Sequence, residues 1–318
     1  MARPRVTGPF LAAGRQALTR RAARGVTRAV MMSAEYAAPG AGAWLAARAA
    51  RHVPARIRSR SAAVPGAEAT VLASRAGGVT GTTEACGDGP LVYLLEGYRG
   101  KGHMRHLVPP LVQAGYRAVT VGVPAHCPDG PQRYQRGIVP EYTGALEAAV
   151  ACHGVPYAVI GHSLGGYAAQ LAVLGGLRGT RCLVLIEALP DAASIARELA
   201  RRAGLGRRTQ ARLPRVLARQ AGLTIADADA AARAREDVSP RRVLVAWDDS
   251  SDCLPAGASL DLACAWGAES FRTSSCGHVG LLGDPGLHAK VIAYLGARHG
   301  AGTGPAGSGA LRPVIARW

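Results

Sequence analysis

Five residues, Gly161-His162-Ser163-Leu164-Gly165, constrain the fold of this chain more than any others. A short apolar run (Val159, Ile160) reads as a buried strand before them. A small-residue, helix-prone run (Ala168, Ala169, Leu171, Ala172) follows. Strand, sharp turn and helix succeed one another, with a serine at the apex. A nucleophile on so tight a turn sits at strained backbone angles, and its neighbours two residues away must be tiny to avoid the strand and helix. Gly161 and Gly165 fill those places. The turn lifts the Ser163 hydroxyl clear of the backbone and sets it at a helix N-terminus, where the free amide of Leu164 can point at a developing oxyanion.

The remaining pattern alternates strand and helix. Ala69–Ser74 and Val79–Cys86 are expected as a hairpin, and Leu91–Leu95 as a strand buried on both faces. Met104–Ala114 is predicted helical and capped by Gly115. Ala118–Val121 is the next strand, Glu141–Cys152 a helix, and Cys182–Ile186 a strand that ends at Glu187. Residues 190–238 are helical in pattern and charged, and fit an inserted lid. Val243–Trp247 is a strand followed by an acidic cluster, Asp248-Asp249-Ser250-Ser251-Asp252. Ser259–Trp266 is a helix, Ser270–Thr273 a last strand before Gly277-His278, and Leu287–Leu295 a closing helix. This rhythm argues a mostly parallel, doubly wound α/β sheet. Its core is expected over 69–189 and 239–298. Active groups in such sheets gather at the carboxyl ends of strands. Ser163, the acidic cluster and His278 all fall there, in the order serine, acid, histidine.

Charge is concentrated at the amino end. The formal net charge is +17, and residues 1–60 hold 12 arginines against one acid, Glu35. Residues 1–68 are therefore read as a basic arm, with one amphipathic helix over Leu11 to Val30 and a second over Trp44–Val53. Such an arm can contact nucleic acid or an anionic membrane. No aromatics interleave with the arginines in a nucleic-acid-reading pattern, so nucleic acid is not expected. Membrane contact through the arm stands second to simple compositional drift. Residues 299–318 are expected to form a flexible tail. The seven cysteines are scattered without a CxxC, which argues against a disulfide framework or zinc site and favours a reducing cytoplasm. No run of 18 apolar residues exists, so no transmembrane segment is expected. Arg20-Arg21 is followed by too interrupted a stretch for an export signal.

Several segments together resemble the α/β-hydrolase superfamily over about residues 69–297. Leu94-Leu95-Glu96-Gly97-Tyr98 resembles its strand-HG-aromatic segment, and Gln113-Ala114-Gly115-Tyr116-Arg117-Ala118-Val119 its helix-to-strand joint. Val123-Pro124-Ala125-His126 resembles the loop after that strand. Gly161–Gly166 is similar to the nucleophile elbow and Gly277-His278 to the catalytic-histidine loop. The chain departs from the family where Glu96 replaces a histidine and Gly122 an aspartate that precedes the Pro-x-His loop. The acid is also out of step: counting back four residues from Pro255 reaches Ser251, with Asp252 one place late.

The resemblance implies a serine hydrolase acting on a small-molecule ester or thioester. Ser163 would be the nucleophile and His278 the base, with Leu164 and Tyr98 amides for the oxyanion. Asp252 is the first choice of acid and Asp249 the second. Glu187 is the third, because some members place the acid at the end of the preceding strand. No metal or organic cofactor is needed. Arg99, Lys101 and His103 would make the mouth basic and suit an acidic substrate. His162 is read as structural. An acyltransferase on the same acyl-enzyme, and a non-catalytic binding protein of this fold, are the alternatives.

Overall fold

The computed structural model describes residues 35–53, 64–73, 79–98, 100, 102–127, 131, 133–135, 137–237, 241–255 and 257–297. The expected helix over Leu11 to Val30, the tail 299–318, and the basic residues Arg99 and Lys101 lie outside them.

Eight strands form one sheet: β1 (Glu68–Ala73), β2 (Val79–Cys86), β3 (Leu91–Leu95), β4 (Arg117–Gly122), β5 (Ala158–His162), β6 (Cys182–Ile186), β7 (Arg242–Asp248) and β8 (Glu269–Thr273). Their spatial order is β1-β2-β4-β3-β5-β6-β7-β8. The β1–β2 and β2–β4 pairs are antiparallel, and every pair from β4 across to β8 is parallel. The expected hairpin at the amino end is thus present, and the parallel part follows from helical crossovers, which alone can return a chain to the same edge in the same direction.

Helices cover both faces. In chain order these are α1 (Pro39–Ala50), α2 (Val108–Gln113), α3 (Ile138–His153), α4 (Leu164–Leu174), α5 (Ala192–Ala203), α6 (Arg207–Gln220), α7 (Ala230–Ala234), α8 (Ala258–Trp266), α9 (Gly277–Gly280) and α10 (Pro285–Gly296). Alternate side chains of each central strand point to opposite faces. Tyr93, Leu95, Val159, Leu183 and Leu185 join one apolar cluster with α3 and α4. Val92, Leu94, Ile160, Val184 and Ile186 join another with α2 and α10. Burying a side chain of this kind contributes roughly 1.5–3 kcal/mol, so the two layers supply most of what holds the sheet. β6 is apolar at every position because water reaches neither face of it.

Three helix starts differ from the sequence expectation, and proline explains each. The stretch from Met104 opens as a 3₁₀ turn, His103–Leu107, and becomes α-helical only at Val108. Pro109-Pro110 lack amide hydrogens and fit only a helix's first turn. Likewise α3 begins three residues before Glu141, with Pro140 held in its first turn. The second helix expected in the basic arm is shifted the same way. It runs from Pro39 to Ala50 and buries Gly42, Ala43, Ala47 and Ala50. It packs on α6, and the Glu35 carboxylate ahead of it accepts from the Arg208 and Thr209 amides at the start of α6 (2.7 and 2.9 Å). Between β6 and β7 the chain makes α5, α6 and α7.

Among the described residues no helix is long and apolar enough to cross a membrane. Nor does any group of three or more His, Cys, Asp or Glu among them stand as a metal set would.

Candidate active site

β5 delivers Ser163 at φ 53°, ψ −117°, outside the regions that a non-glycine residue ordinarily occupies. Hydrogen bonds hold it there. The Ser163 amide donates to the Ile186 carbonyl at 2.9 Å, and its own carbonyl accepts from the Tyr167 and Leu189 amides at 3.1 and 3.3 Å. The glycines two places away leave no room for anything larger. A Cβ on Gly161 would stand 2.6 Å from the Gly166 Cα, and one on Gly165 would collide with the carbonyl oxygens of Leu95 and Glu96. Gly165→Ala is therefore expected to cost at least about 3 kcal/mol, because backbone on the far side cannot yield. The check is a fall in the urea midpoint with the slope unchanged.

The structure brings Glu187 to His278, and not Asp252. The His278 Nδ1 lies 3.0 Å from Glu187 Oε2. Since a carboxylate can only accept, Nδ1 is the donor in this pair, and in the neutral imidazole the lone pair is then on Nε2. Glu187 is buried. It also accepts from the Asp248 amide (2.7 Å, Oε1) and the Ser251 hydroxyl (2.7 Å, Oε2). Its φ is 49°, and among the described residues Ser163 and Glu187 are the two non-glycines at positive φ. Such strain persists only where the surroundings over-determine it, and it concentrates at functional sites.

Asp252, the first choice from sequence, points outward with 78% of its side chain exposed and pairs with Arg201 at 3.1 Å. Asp249, the second, pairs with Arg272 at 2.6 Å and accepts from Trp247 Nε1 at 3.2 Å. Both follow β7, but the chain turns after Asp248 and carries them away from the histidine.

Sequence reasoning gave no role to Asp248, which holds the loop leading to His278. Its carboxylate is buried and accepts from Ser250, from the Thr273 hydroxyl (2.6 Å) and from the Ser275 and Cys276 amides (2.9 and 2.8 Å). Burial alone would raise this carboxyl. The hydrogen bonds from Ser250, Thr273 and the backbone outweigh it and hold the group well below the usual aspartate range. Its place as the last residue of an apolar strand was the signal available for it.

His162 lies beneath His278, with ring centroids 4.7 Å apart. Its Nε2 is 2.9 Å from the His278 carbonyl, so that nitrogen donates. Burial, with the neighbouring His278, pushes the His162 pKa down to about 3, and the ring is a neutral strut. Gly97 passes close over it: a Cβ there would stand 2.9 Å from His162 Nδ1 and 3.2 Å from the Ser163 Cβ. This close approach carries the 96–98 segment past the serine.

Ser163, Leu164, His278, Glu96 and Tyr98 line one cavity of about 130 Å³. Ile138, Leu189, Ile195 and Leu199 supply its apolar wall, while His103, Glu198 and Arg202 make a polar rim. Of the three basic residues expected at the mouth, His103 is the described one. The Tyr98 ring stacks on Tyr134 at 6.1 Å, and its hydroxyl donates to the Ala50 carbonyl of α1. The basic arm is thereby tied to the segment beside the serine, a link no local pattern announced.

Glu96 stands where the resemblance to the superfamily leads one to expect a histidine. Its Oε1 accepts from the Met104 amide at 2.8 Å, which ties the start of this segment to the 3₁₀ turn. Burial raises its pKa to about 7, tempered by that hydrogen bond and by Arg105. Arg105 is itself forked onto Glu84.

No protein-family model matches the chain. The magnesium-chelatase 30 kDa subunit of Rhodobacter capsulatus is 35% identical over 88 residues, a stretch that is 27% of this chain and 31% of that protein. Among solved structures, the chain is similar to a bromoperoxidase from Bacillus anthracis at 14% identity, covering 72% of this chain and 99% of that one (TM-score 0.54). It is similar to a putative epoxide hydrolase from Pseudomonas aeruginosa at 16% identity, covering 74% and 98% (TM-score 0.54). The esterase Pf2001 of Pyrococcus furiosus is likewise similar at 15% identity, covering 72% and 91% (TM-score 0.53). These identities speak to fold, and fold alone does not specify a reaction. Strand order, the turn at Ser163 and these likenesses together give the chain the α/β-hydrolase fold.

Proposed function

We propose that the protein is a serine hydrolase that cleaves a carboxylic ester or thioester with a short acyl group, through an acyl-enzyme on Ser163. The observation that carries this reading is the buried Glu187 bonded to His278, whose ring opens on the same cavity as Ser163. Glu187 fixes the imidazole with its proton on Nδ1 and stabilises the imidazolium that forms later. Nε2 is then the base that takes the Ser163 proton as the hydroxyl attacks the acyl carbon. The amide of Leu164, first residue of α4, and that of Tyr98 would receive the oxyanion, each worth about 3 kcal/mol in the transition state. The imidazolium returns its proton to the leaving alcohol or thiol. Water, activated by the same nitrogen, then releases the acid.

The size of the cavity suits a short acyl group. Apolar cavities of roughly 150 Å³ hold a benzene-sized guest, and this one is about 130 Å³. The test is labelling by a fluorophosphonate probe, followed by p-nitrophenyl esters of rising chain length. Labelling that Ser163→Ala abolishes, with butyrate cleaved faster than laurate, is expected. A folded wild-type protein that takes up no probe would overturn the hydrolase reading and leave the non-catalytic one.

Glu96 gives this reading a pH signature. Below about pH 7 its carboxyl is neutral, and above that it is an anion in the cavity where the oxyanion forms. A like charge opposes that oxyanion. We expect kcat/KM to fall on the order of tenfold as the pH rises through 7. Glu96→Gln keeps an acceptor for the Met104 amide and cannot ionise, so its profile should lack that fall.

A further inference from the structure

The outward face of the segment between β6 and β7 has a charge pattern that the chemistry at Ser163 does not use. Over α6, Arg207, Arg208, Arg212, Arg215 and Arg219 are all exposed, and the helix has no acid. Its apolar side, Leu213, Leu217 and Ala218, is buried inward. The preceding α5 adds Arg197, Arg201 and Arg202, also exposed. The acids within reach are already engaged. Glu198 is buried and holds Arg201 and Arg202, Glu35 caps α6, and Asp252 pairs with Arg201. Among the described residues Arg207, Arg212, Arg215 and Arg219 enter no ion pair.

Beside this basic face stands an apolar one. Helix α1 packs on α6 through its small residues and turns Trp44 (51% exposed) and Leu45 (40%) to solvent. Tyr36, 73% exposed, lies under the Arg208 guanidinium at 5.5 Å, and Arg48 lies over the Trp44 ring at the same distance. Arginines interleaved with an exposed Trp, Tyr and Leu are what an interfacial surface needs. The guanidinium groups meet lipid phosphates while the aromatic and aliphatic side chains enter the headgroup boundary. A nucleic acid would satisfy the arginines but has no hydrocarbon for Leu45.

We infer that the α1–α5–α6 face docks the protein on an anionic bilayer surface. Arg202 belongs to this face and also to the rim of the Ser163 cavity, so docking sets the cavity mouth next to the headgroups. The inference concerns α1 and α6, not the first 34 residues, and it does not require Ser163 to be reactive.

The test is co-sedimentation of the full chain with vesicles of 30% phosphatidylserine in phosphatidylcholine, against vesicles of phosphatidylcholine alone, at low salt. Each arginine near such a surface contributes about 1 kcal/mol, so Arg212→Gln/Arg215→Gln/Arg219→Gln should weaken binding on the order of 100-fold. Trp44→Ser/Leu45→Ser should weaken it at least tenfold with charge unchanged. A control with the same charge loss, Arg178→Gln/Arg181→Gln/Arg235→Gln, lies on exposed positions away from α6 and should change binding less than about threefold. Ser163→Ala should bind as wild type does. Equal binding to both vesicle types overturns the inference, as does equal weakening by the two triple variants, which would make it a net-charge effect. So does an α6 variant that binds like wild type. Circular dichroism establishes that each variant is folded.

Discussion

Glu187→Gln is expected to lower kcat by about 10³- to 10⁴-fold while the protein stays folded. Three donors converge on this carboxylate: the Asp248 amide, the Ser251 hydroxyl and His278 Nδ1–H. Glutamine keeps the shape but offers one acceptor oxygen in place of two. An amide NH₂ facing Nδ1 forces the proton to Nε2, where the base needs its lone pair. The comparison that decides the matter is with the other two acids. Asp252→Asn breaks only an exposed pair with Arg201, worth about 0–1 kcal/mol, and Asp249→Asn a similar one with Arg272. Each should leave kcat within about threefold of wild type. A Glu187→Gln enzyme as active as wild type, with Asp252→Asn dead, would show that the chain after β7 rearranges when substrate binds. Initial rates on one ester, with thermal unfolding of each variant alongside, make the check.

Ser163→Ala and His278→Ala should each reduce kcat by about 10⁵- to 10⁶-fold, and the double variant little further. The non-additivity is the informative part. Nucleophile and base act as one unit, so removing the second costs almost nothing once the first is gone. What survives would be rate enhancement by the Leu164 and Tyr98 amides and by binding alone. Ser163→Ala should also unfold at a temperature equal to or above that of wild type, since alanine meets the same φ of 53° and the change removes only a hydroxyl from a buried site. If Ser163→Ala costs less than about tenfold while His278→Ala is inactive, the acyl-enzyme reading fails, and an acid–base role without a nucleophile takes its place; if both cost less than about tenfold, neither residue does the chemistry.

Much of this molecule was legible in its sequence. The apolar runs at Leu91, Val159 and Cys182 read as strands, and the middle of the sheet is built from them. Gly161 and Gly165 announced the turn at Ser163 because only hydrogen fits where backbone crosses backbone. Local sterics and two-residue alternation are properties of neighbours along the chain, and a sequence lists neighbours. The short displacements at α1, α2 and α3 came from prolines whose meaning is positional and local too.

The acid was a different matter. Glu187, Asp249 and Asp252 all follow strands, and nothing within ten residues of any of them says which one faces His278. That was decided by β6 lying between β5 and β7, with Ile186 in register with Ala246, which sets Glu187 beside a histidine 91 residues away. The same holds for α1, whose Ala/Arg composition read only as part of a basic arm. Only its packing on α6, the Glu35 cap and the Tyr98 hydroxyl bond reveal it as part of the site's surroundings. Contacts between distant segments depend on how whole layers dock, and that information is spread over every residue of the core rather than written at the contact.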